Sequence, residues 1–250
     1  MKQFIGIIPA RYASSRFPGK PLAILLDKPM IQWVYEAAAK VLDQVVVATD
    51  DERIFKAVEG FGGKAVMTGT DHSSGTERCA EACRILRKQH TASFSHVINI
   101  QGDEPLLQGA QLNDLMSCFE DEDCKIATLL HPLKDEGIHN PNRVKVVTDH
   151  QMRALYFSRS PIPFLRDIPP EEWARHQLHD QHLGLYAFRA GVLEELVRLP
   201  PCKLEQAESL EQLRWLYNGY RIQTKTCQSL SRGVDTPEDL EAVAETIRRG

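Results

Sequence analysis

The first hundred residues alternate between short apolar runs that favour β-strand and longer stretches that favour helix. Strands are predicted at residues 3–8, 45–49, 64–68 and 96–100. A strand that follows another in parallel needs a long crossover connection, usually a helix. The alternation therefore predicts an α/β protein with a mostly parallel sheet and helices on both faces.

Local signals predict where several helices begin. The Ala-rich run MIQWVYEAAAKVL favours helix. Asp50 is predicted to cap the helix that follows the second strand. Ser74 and Glu77 have the S-x-x-E spacing of a capping box and predict a helix that ends near Lys88.

The alternation of strand and helix signals ends at about residue 125, after which the strand-like runs lie closer together. The runs 125–130, 144–149 and 152–158 predict antiparallel pairing, with a hairpin turn at Asp149-His150-Gln151. The remaining predictions are a strand at 182–188, a short helix AGVLEELVRL, one helix at 205–218, a strand at 221–227, and a helix with Thr236 as its N-cap. Together they predict one domain, with a core of about 1–130 and 220–250 and an inserted subdomain of about 131–219.

Composition excludes several classes of protein. The net charge of −4 opposes non-specific nucleic-acid binding, and the apolar stretches fall short of the ~18 residues of a membrane span. The six cysteines contain no C-x-x-C pair and no secretory segment precedes the first strand, so we expect reduced thiols and a cytoplasmic location. Cys79 and Cys83 lie four residues apart; a metal or redox pair is possible, but small buried apolar residues are the preferred interpretation.

A cationic loop follows the first strand, which is predicted to break at Pro9. The stretch GIIPARYASSRFPGKPL contains the cations Arg11, Arg16 and Lys20, with Ser14 and Ser15 between them. No acidic residue lies between Lys2 and Asp27. A cation within ~4 Å of a phosphate charge attracts it by a few kcal/mol at an effective dielectric constant near 20. The three cations therefore predict that the loop binds a polyphosphate. The alternative is a solvated basic loop.

Two acidic clusters follow other strands. One contains Asp103, in QGDEP, and the other contains Asp235, in GVDTPEDL. Ligands of open α/β sheets bind beyond the carboxyl ends of the strands, and Mg²⁺ prefers one or two carboxylates together with phosphate oxygens. The two aspartates therefore predict a Mg²⁺ site beside the phosphates. The alternatives are an ordinary turn residue for Asp103 and a helix-entry residue for Asp235.

Other nucleotide-binding classes fit less well. The chain lacks both GxxxxGK[ST] and GxGxxG. A nicotinamide-dependent oxidoreductase would explain acids at the end of the second strand, Asp50 and Asp51, but not a cationic first loop. A non-catalytic nucleotide-binding protein would explain that loop but has no need for both acidic clusters.

Several motifs, in order, carry a family resemblance: IPARYASSRFPGKPL, TDHSSGTER, NIQGDEPL, NPNRVKVV, ALYFSRSPIP, HLGLYAFR, LEQLR and GVDTPEDL. From about residue 4 to 246 the chain resembles the 3-deoxy-manno-octulosonate (Kdo) cytidylyltransferases. The resemblance implies a Rossmann-like nucleotidyltransferase core with an inserted, partly antiparallel dimerisation subdomain, and hence a homodimer. It also implies the reaction of CTP with Kdo to give CMP-Kdo and pyrophosphate, for lipopolysaccharide synthesis. A related sugar acid or 8-amino-Kdo remains an alternative substrate.

The resemblance also implies roles for individual residues. Those expected to bind CTP are Pro9, Ala10, Arg11, Ser14, Ser15, Arg16, Lys20, Ser74, Gly75 and Arg78. Those expected around the sugar acid are Gln101, Arg159, His182, Tyr186, Glu211 and Gln212. The expected catalytic residues are Arg16, Lys20, Asp103 and Asp235, of which the two aspartates would bind Mg²⁺. For His182 and Tyr186 a plain core role is the alternative.

Overall fold

A computed structural model describes residues 2–13, 17–134, 136–230 and 233–249. The chain forms two compact units. The first comprises Met1–Asn113, Arg189–Val197 and Ser231–Gly250, and the second comprises Asp114–Phe188 and Arg198–Leu230. The bounds of the two units differ from those predicted for the core and the inserted subdomain. The division into a core and an insertion stays a prediction.

The strands and helices are numbered along the chain. The strands are β1 (Phe4–Ala10), β2 (Ile24–Leu25), β3 (Lys28–Pro29), β4 (Val45–Thr49), β5 (Ala65–Met67), β6 (His96–Asn99), β7 (Ile126–Pro132), β8 (Lys145–Thr148), β9 (Ala154–Ser158), β10 (Asp180–Arg189) and β11 (Gln223–Thr226). The α-helices are α1 (Met30–Ala39), α2 (Glu52–Gly60), α3 (Gly75–Lys88), α4 (Gly109–Ser117), α5 (Trp173–His176), α6 (Ala190–Leu196), α7 (Lys203–Glu208), α8 (Gln212–Tyr217) and α9 (Pro237–Arg249). Short 3-10 helices lie at Lys20–Leu22, Cys118–Glu120, Glu136–His139 and Pro170–Glu172.

The first unit contains the predicted parallel sheet. Its strands are ordered β6-β1-β4-β5, and every neighbouring pair is parallel. The predicted break of the first strand at Pro9 is wrong, because β1 continues to Ala10 and Pro9 lies opposite Ala48 of β4. The pairing of β1 with β6 ends at Ile7. Proline is tolerated where a strand has a neighbour on one side only.

The helix starts in the first unit are partly as predicted. Ser74 caps α3 by accepting a hydrogen bond from the Glu77 N–H at 3.2 Å, which confirms the predicted cap. The predicted cap of α2 is wrong, since Asp51 rather than Asp50 accepts the Arg53 N–H at 2.9 Å. The carboxylate of Asp50 instead bonds to Arg78, far along the chain.

The second unit contains a mixed sheet. In it β7 pairs with β11 in parallel and with β10 antiparallel, and β8 pairs antiparallel with β10 and β9. The predicted β8–β9 hairpin is confirmed. The single helix predicted at 205–218 is wrong, because Ser209 adopts a left-handed backbone with φ of 52° and separates α7 from α8.

Buried aliphatic side chains of β1, β4 and β6 form the core of the first unit, and α1 and α3 both contact β1. All six cysteines lie within the described ranges, where they are buried and free of disulfides. This confirms the interpretation of Cys79 and Cys83 as small buried residues. Among the described helices, none combines the length and hydropathy of a membrane span.

Candidate active site

A cavity of about 330 Å³ lies beyond the carboxyl ends of β1 and β6 in the first unit. Its described lining is Pro9, Ala10, Arg11, Lys20, Pro21, His72, Ser73, Ser74, Gly75, Arg78, Gln101, Gly102, Asp103 and Asp235. The cavity thus draws on the first loop, the start of α3, the segment after β6 and the approach to α9. These are the segments in which the sequence predicted CTP and metal binding.

Lys20, Asp103 and Asp235 form a lysine–aspartate cluster in this cavity. The Lys20 Nζ donates to Asp103 Oδ2 at 2.7 Å, to Asp235 Oδ1 at 3.3 Å and to the Val234 carbonyl at 2.7 Å. The predicted convergence of the two aspartates, which are distant in sequence, is therefore confirmed. One ammonium group thus contacts both carboxylates and joins the two acidic segments.

Buried packing fixes the position of this cluster. Val234 is fully buried against Leu25 and Met30, in a cluster that also contains residues of α9. Its N–H donates to the Asp103 carbonyl at 2.9 Å, which joins the two acidic segments through their backbones. The aspartate side chains remain partly exposed, at 33% and 49%. They can therefore accept a ligand without rearrangement of the core.

Glycines permit close backbone approach around Pro9. A Cβ at Gly102 would lie 3.0 Å from the Pro9 carbonyl oxygen, and one at Gly75 would lie 3.1 Å from Pro9 Cγ. Both distances are shorter than ordinary van der Waals contact. Side chains at these two positions would therefore push apart the segments that line the cavity.

Arg78 lines the cavity but is bonded mainly within the protein. Its side chain is 4% exposed and donates to Asp50 Oδ2 at 2.7 Å, to Thr68 Oγ1 at 2.6 Å and to the Gly69 carbonyl at 3.2 Å. These bonds hold the segment before α3 against the end of β4. The predicted contact of Arg78 with cytidine stays a prediction.

His72 is a cavity residue that sequence reasoning did not select, although it lies in the quoted motif TDHSSGTER. Its Nε2 contacts Glu81 Oε2, which also accepts the Gly69 N–H at 2.8 Å. Burial raises the pKa of Glu81, but the hydrogen bonds from His72 and Gly69 outweigh burial and lower that pKa below its ordinary value. Glu81 therefore stays ionised and holds His72 at the cavity wall.

The other CTP-binding predictions have mixed outcomes. Pro9, Ala10, Arg11, Ser74 and Gly75 line the cavity. Ser14, Ser15 and Arg16 lie outside the described residues. Gln101, predicted to contact the sugar, also lines this cavity. The individual roles of all these residues stay predictions.

The other predicted sugar-binding residues belong to the second unit, where Arg159 joins three segments. Its guanidinium donates to the carbonyls of Glu208 at 2.6 Å, Pro141 at 3.0 Å and Ser209 at 3.3 Å. The fully buried Lys145 donates to the Arg159 carbonyl at 2.6 Å. Arg159 thus has a structural role here, and three of its five N–H groups are used.

His182, Tyr186 and Gln212 form the interior part of the predicted sugar set. The His182 ring lies between Phe157 and Tyr186, with ring centroids 5.0 and 5.1 Å away, and its Nε2 is 3.0 Å from Thr128 Oγ1. Burial lowers the pKa of His182 to about 3, so its imidazole is neutral at pH 7. Within the described part of the chain, the buried Tyr186 hydroxyl and Gln212 Nε2 have no hydrogen-bond partner. Both groups are therefore free to bond a polar ligand.

The lysine–aspartate cluster fits a magnesium ion. Its two carboxylates lie beside one another at the Lys20 ammonium and supply the oxygen ligands that a hard divalent cation prefers. Among the described residues, no group of three or more His, Cys, Asp or Glu side chains is arranged to hold a metal alone. A site that is completed by substrate phosphates agrees with both observations.

The α/β fold, with its cavity beyond the strands of a parallel sheet, is that of a nucleotidyltransferase-like protein. Residues 5–223 match the family described as Cytidylyltransferase. The 3-deoxy-manno-octulosonate cytidylyltransferase of Bacteroides thetaiotaomicron is 52% identical, with 98% of each chain covered. That of Phocaeicola vulgatus is 53% identical, over 95% of this chain and 94% of its own. The chain belongs to the 3-deoxy-manno-octulosonate cytidylyltransferase family.

A solved structure agrees with this assignment. It is a CMP:2-keto-3-deoxy-manno-octonic acid synthetase complexed with CTP, 42% identical, with a TM-score of 0.89 and 99% of each chain covered. The predicted nucleotidyltransferase fold is confirmed. The dimerisation role of the inserted subdomain stays a prediction.

Proposed function

We propose that this protein activates Kdo with CTP, giving CMP-Kdo and pyrophosphate for lipopolysaccharide synthesis. The observation that carries the proposal is the relative named for this activity, which is 52% identical over 98% of the chain. The convergence of Lys20, Asp103 and Asp235 in one cavity supports it, since these are the residues for which we propose roles beside the triphosphate.

In the proposed reaction, the anomeric hydroxyl of Kdo attacks the α-phosphorus of CTP in line and pyrophosphate leaves. Arg11 and Lys20, which line the cavity, would pair with phosphate oxygens. Catalysis would come mainly from positioning and charge neutralisation, as in other phosphoryl transfers. Arg16 is proposed to meet the leaving pyrophosphate.

Asp103 and Asp235 are the residues proposed to hold Mg²⁺. When bound, the ion would neutralise charge on the phosphates and on the leaving pyrophosphate. In the ligand-free protein the Lys20 ammonium contacts both carboxylates and limits their mutual repulsion. Donors of Lys20 would become free for phosphate oxygens once Mg²⁺ takes over that charge.

The sugar acid is proposed to engage Gln101, Arg159, His182, Tyr186, Glu211 and Gln212. The unpartnered Tyr186 hydroxyl and Gln212 amide support this role, because sugar hydroxyls can supply their missing hydrogen bonds. Among the residues that the structure describes, acceptors are present for three of the five Arg159 guanidinium N–H groups, and the other two could bind a carboxylate.

We also propose a cytoplasmic homodimer. The buried free thiols suit a reducing compartment. The second unit exposes large apolar side chains, among them Leu155, Phe164, Leu178 and Tyr217 at 57–71%, as a subunit interface would. Light scattering after size-exclusion chromatography measures the mass, and a mass near 28.3 kDa would contradict the dimer.

The activity is tested by mixing the protein with CTP, Kdo and Mg²⁺ and measuring pyrophosphate release. We expect release only when all three are present. Parallel reactions with UTP or with 8-amino-Kdo measure substrate preference. Equal or faster release with 8-amino-Kdo would contradict Kdo as the preferred substrate, and no release with any sugar acid would contradict the proposed function.

A further inference from the structure

Tyr12 lies in the first loop, between Arg11 and Lys20, which both line the cavity. The proposed reaction gives it no role of its own. The Tyr12 carbonyl accepts the N–H of Gly19, the residue before Lys20, at 2.9 Å. The Tyr12 ring also covers Gly19, since a Cβ there would lie 3.0 Å from Tyr12 Cζ. Gly19 has a φ of 71°, a left-handed conformation that favours glycine.

The Tyr12 ring also contacts Arg53, a residue of the first turn of α2. The Arg53 Cζ lies 3.3 Å from the ring centroid, which is a close cation–π contact. Asp51 fixes that guanidinium with two hydrogen bonds, from Nε at 2.9 Å and from Nη2 at 2.7 Å. Asp51 is itself fixed as the N-cap of α2. The bonds to Asp51 therefore keep the guanidinium beside the ring, although the Arg53 side chain is 59% exposed.

We propose that Asp51, Arg53, Tyr12 and Gly19 form a tyrosine clamp that positions Lys20 for the CTP phosphates. Gly19 is the residue before Lys20 and begins the 3-10 helix Lys20–Leu22, with the Leu22 N–H bonded to the Gly19 carbonyl at 2.8 Å. Backbone hydrogen bonds therefore fix both the residue before Lys20, through Gly19 N–H, and the turn after it, through Leu22 N–H. None of the clamp side chains needs to touch substrate, so Tyr12 and Arg53 are positioning residues.

The kinetic test of the clamp rests on the proposed function, because it measures the apparent KM for CTP. We expect Arg53→Met to raise the apparent KM for CTP about threefold to fivefold, the size of one lost Arg–aromatic contact. Tyr12→Ala should raise it more, because it removes both the stack and the cover of Gly19. Tyr12→Phe keeps the ring and should behave as the unaltered protein. The KM for Kdo should stay unchanged in all three.

A double substitution tests whether Arg53 acts through Tyr12. If it does, Tyr12→Ala combined with Arg53→Met should raise the KM for CTP no more than Tyr12→Ala alone. Fully additive effects would overturn the clamp. The matched control is Arg87→Met, because Arg87 lies 4.9 Å from the Phe94 ring centroid in another Arg–aromatic pair that does not line the cavity. Its KM for CTP should not change.

Amide hydrogen exchange tests the clamp without any turnover. In the ligand-free protein, Arg53→Met and Tyr12→Ala should both speed exchange of the Gly19 N–H, whereas Arg87→Met should not. Unchanged exchange in both clamp variants would overturn the proposal even if CTP kinetics changed. Faster exchange in a protein that never turns over CTP would retain the clamp and contradict only the proposed function.

Discussion

Asp103 and Asp235 both accept a hydrogen bond from the Lys20 ammonium group. Substitution of one aspartate therefore tests its role while Lys20 keeps the other. Asp103→Asn should leave the fold intact, since the side chain is one-third exposed and an amide oxygen can still accept from Lys20. The variant loses a carboxylate proposed to hold the metal. We expect turnover to fall by about a hundredfold or more, as when a group that stabilises developing charge is removed. Pyrophosphate release at saturating CTP measures the effect.

The control for Asp103 is Asp114→Asn, which removes another Asp–Lys pair, with Lys225 at 3.2 Å, that does not line the cavity. Both variants should unfold thermally near the temperature of the unaltered protein. Near-normal turnover by a folded Asp103→Asn protein would contradict the metal assignment.

Tyr186 gives a prediction in which stability and activity separate. Its buried hydroxyl has no partner among the described residues, so Tyr186→Phe should leave the free energy of unfolding unchanged or raise it by about 1 kcal/mol. The same change should raise the KM for Kdo, because a sugar hydroxyl loses its proposed partner. Denaturant unfolding and steady-state kinetics measure the two effects.

Tyr35→Phe is the matched control, because its hydroxyl bonds to the Val45 carbonyl at 3.3 Å and the Lys64 N–H at 3.1 Å. It should destabilise the protein by about 1 kcal/mol and leave the KM for Kdo unchanged. A Tyr186→Phe protein that loses as much stability would show that the Tyr186 hydroxyl is bonded in the ligand-free protein.

At the level of secondary-structure elements, the break between α7 and α8 is open to a direct test. Ser209 has a φ of 52°, which glycine adopts without strain. Ser209→Gly should therefore stabilise the protein or leave it unchanged, whereas Ala207→Gly, inside α7, should cost about 1 kcal/mol. Denaturant unfolding compares the two. Equal destabilisation would mean that residue 209 is helical and that 205–218 forms one helix in solution.

This break shows what the sequence could and could not predict. Local signals were sufficient for α3, because the Ser74 cap depends on a residue only three positions away. The conformation of Ser209 is supported by a distant contact, since its carbonyl accepts from Arg159. The pair of Asp50 with Arg78 likewise requires the folded sheet. Asp103 was predictable because it follows β6, whose carboxyl end lies beside that of the parallel strand β1. The approach of Asp235 depends on the backbone bond from Val234 to Asp103, and the shared bond to Lys20 was not predictable either.

At the scale of the whole molecule, buried histidines predict sensitivity to acid. Burial lowers the pKa of His182 to about 3, and burial together with Arg189 and Lys2 lowers that of His96 to about 4. The unfolded chain binds these protons near pH 6.5 and the folded protein does not. Stability should therefore fall as pH decreases from about 6.5 toward 4, by up to about 1.4 kcal/mol per pH unit for each histidine.

His182→Gln should flatten this pH dependence, as measured by the thermal midpoint between pH 7 and pH 5. The control is His150→Gln, since His150 is exposed and its replacement should leave the slope unchanged. An unaltered slope in His182→Gln would show that His182 does not resist protonation in the folded protein.

The six buried thiols can be used to detect local unfolding of each unit. Cys79 and Cys83 belong to the first unit, and Cys118, Cys124, Cys202 and Cys227 belong to the second. An alkylating reagent can reach each sulfur only after the surrounding packing opens. Pulsed alkylation during a denaturant titration, read by peptide mass, would therefore tell which unit loosens first and whether CTP protects one before the other.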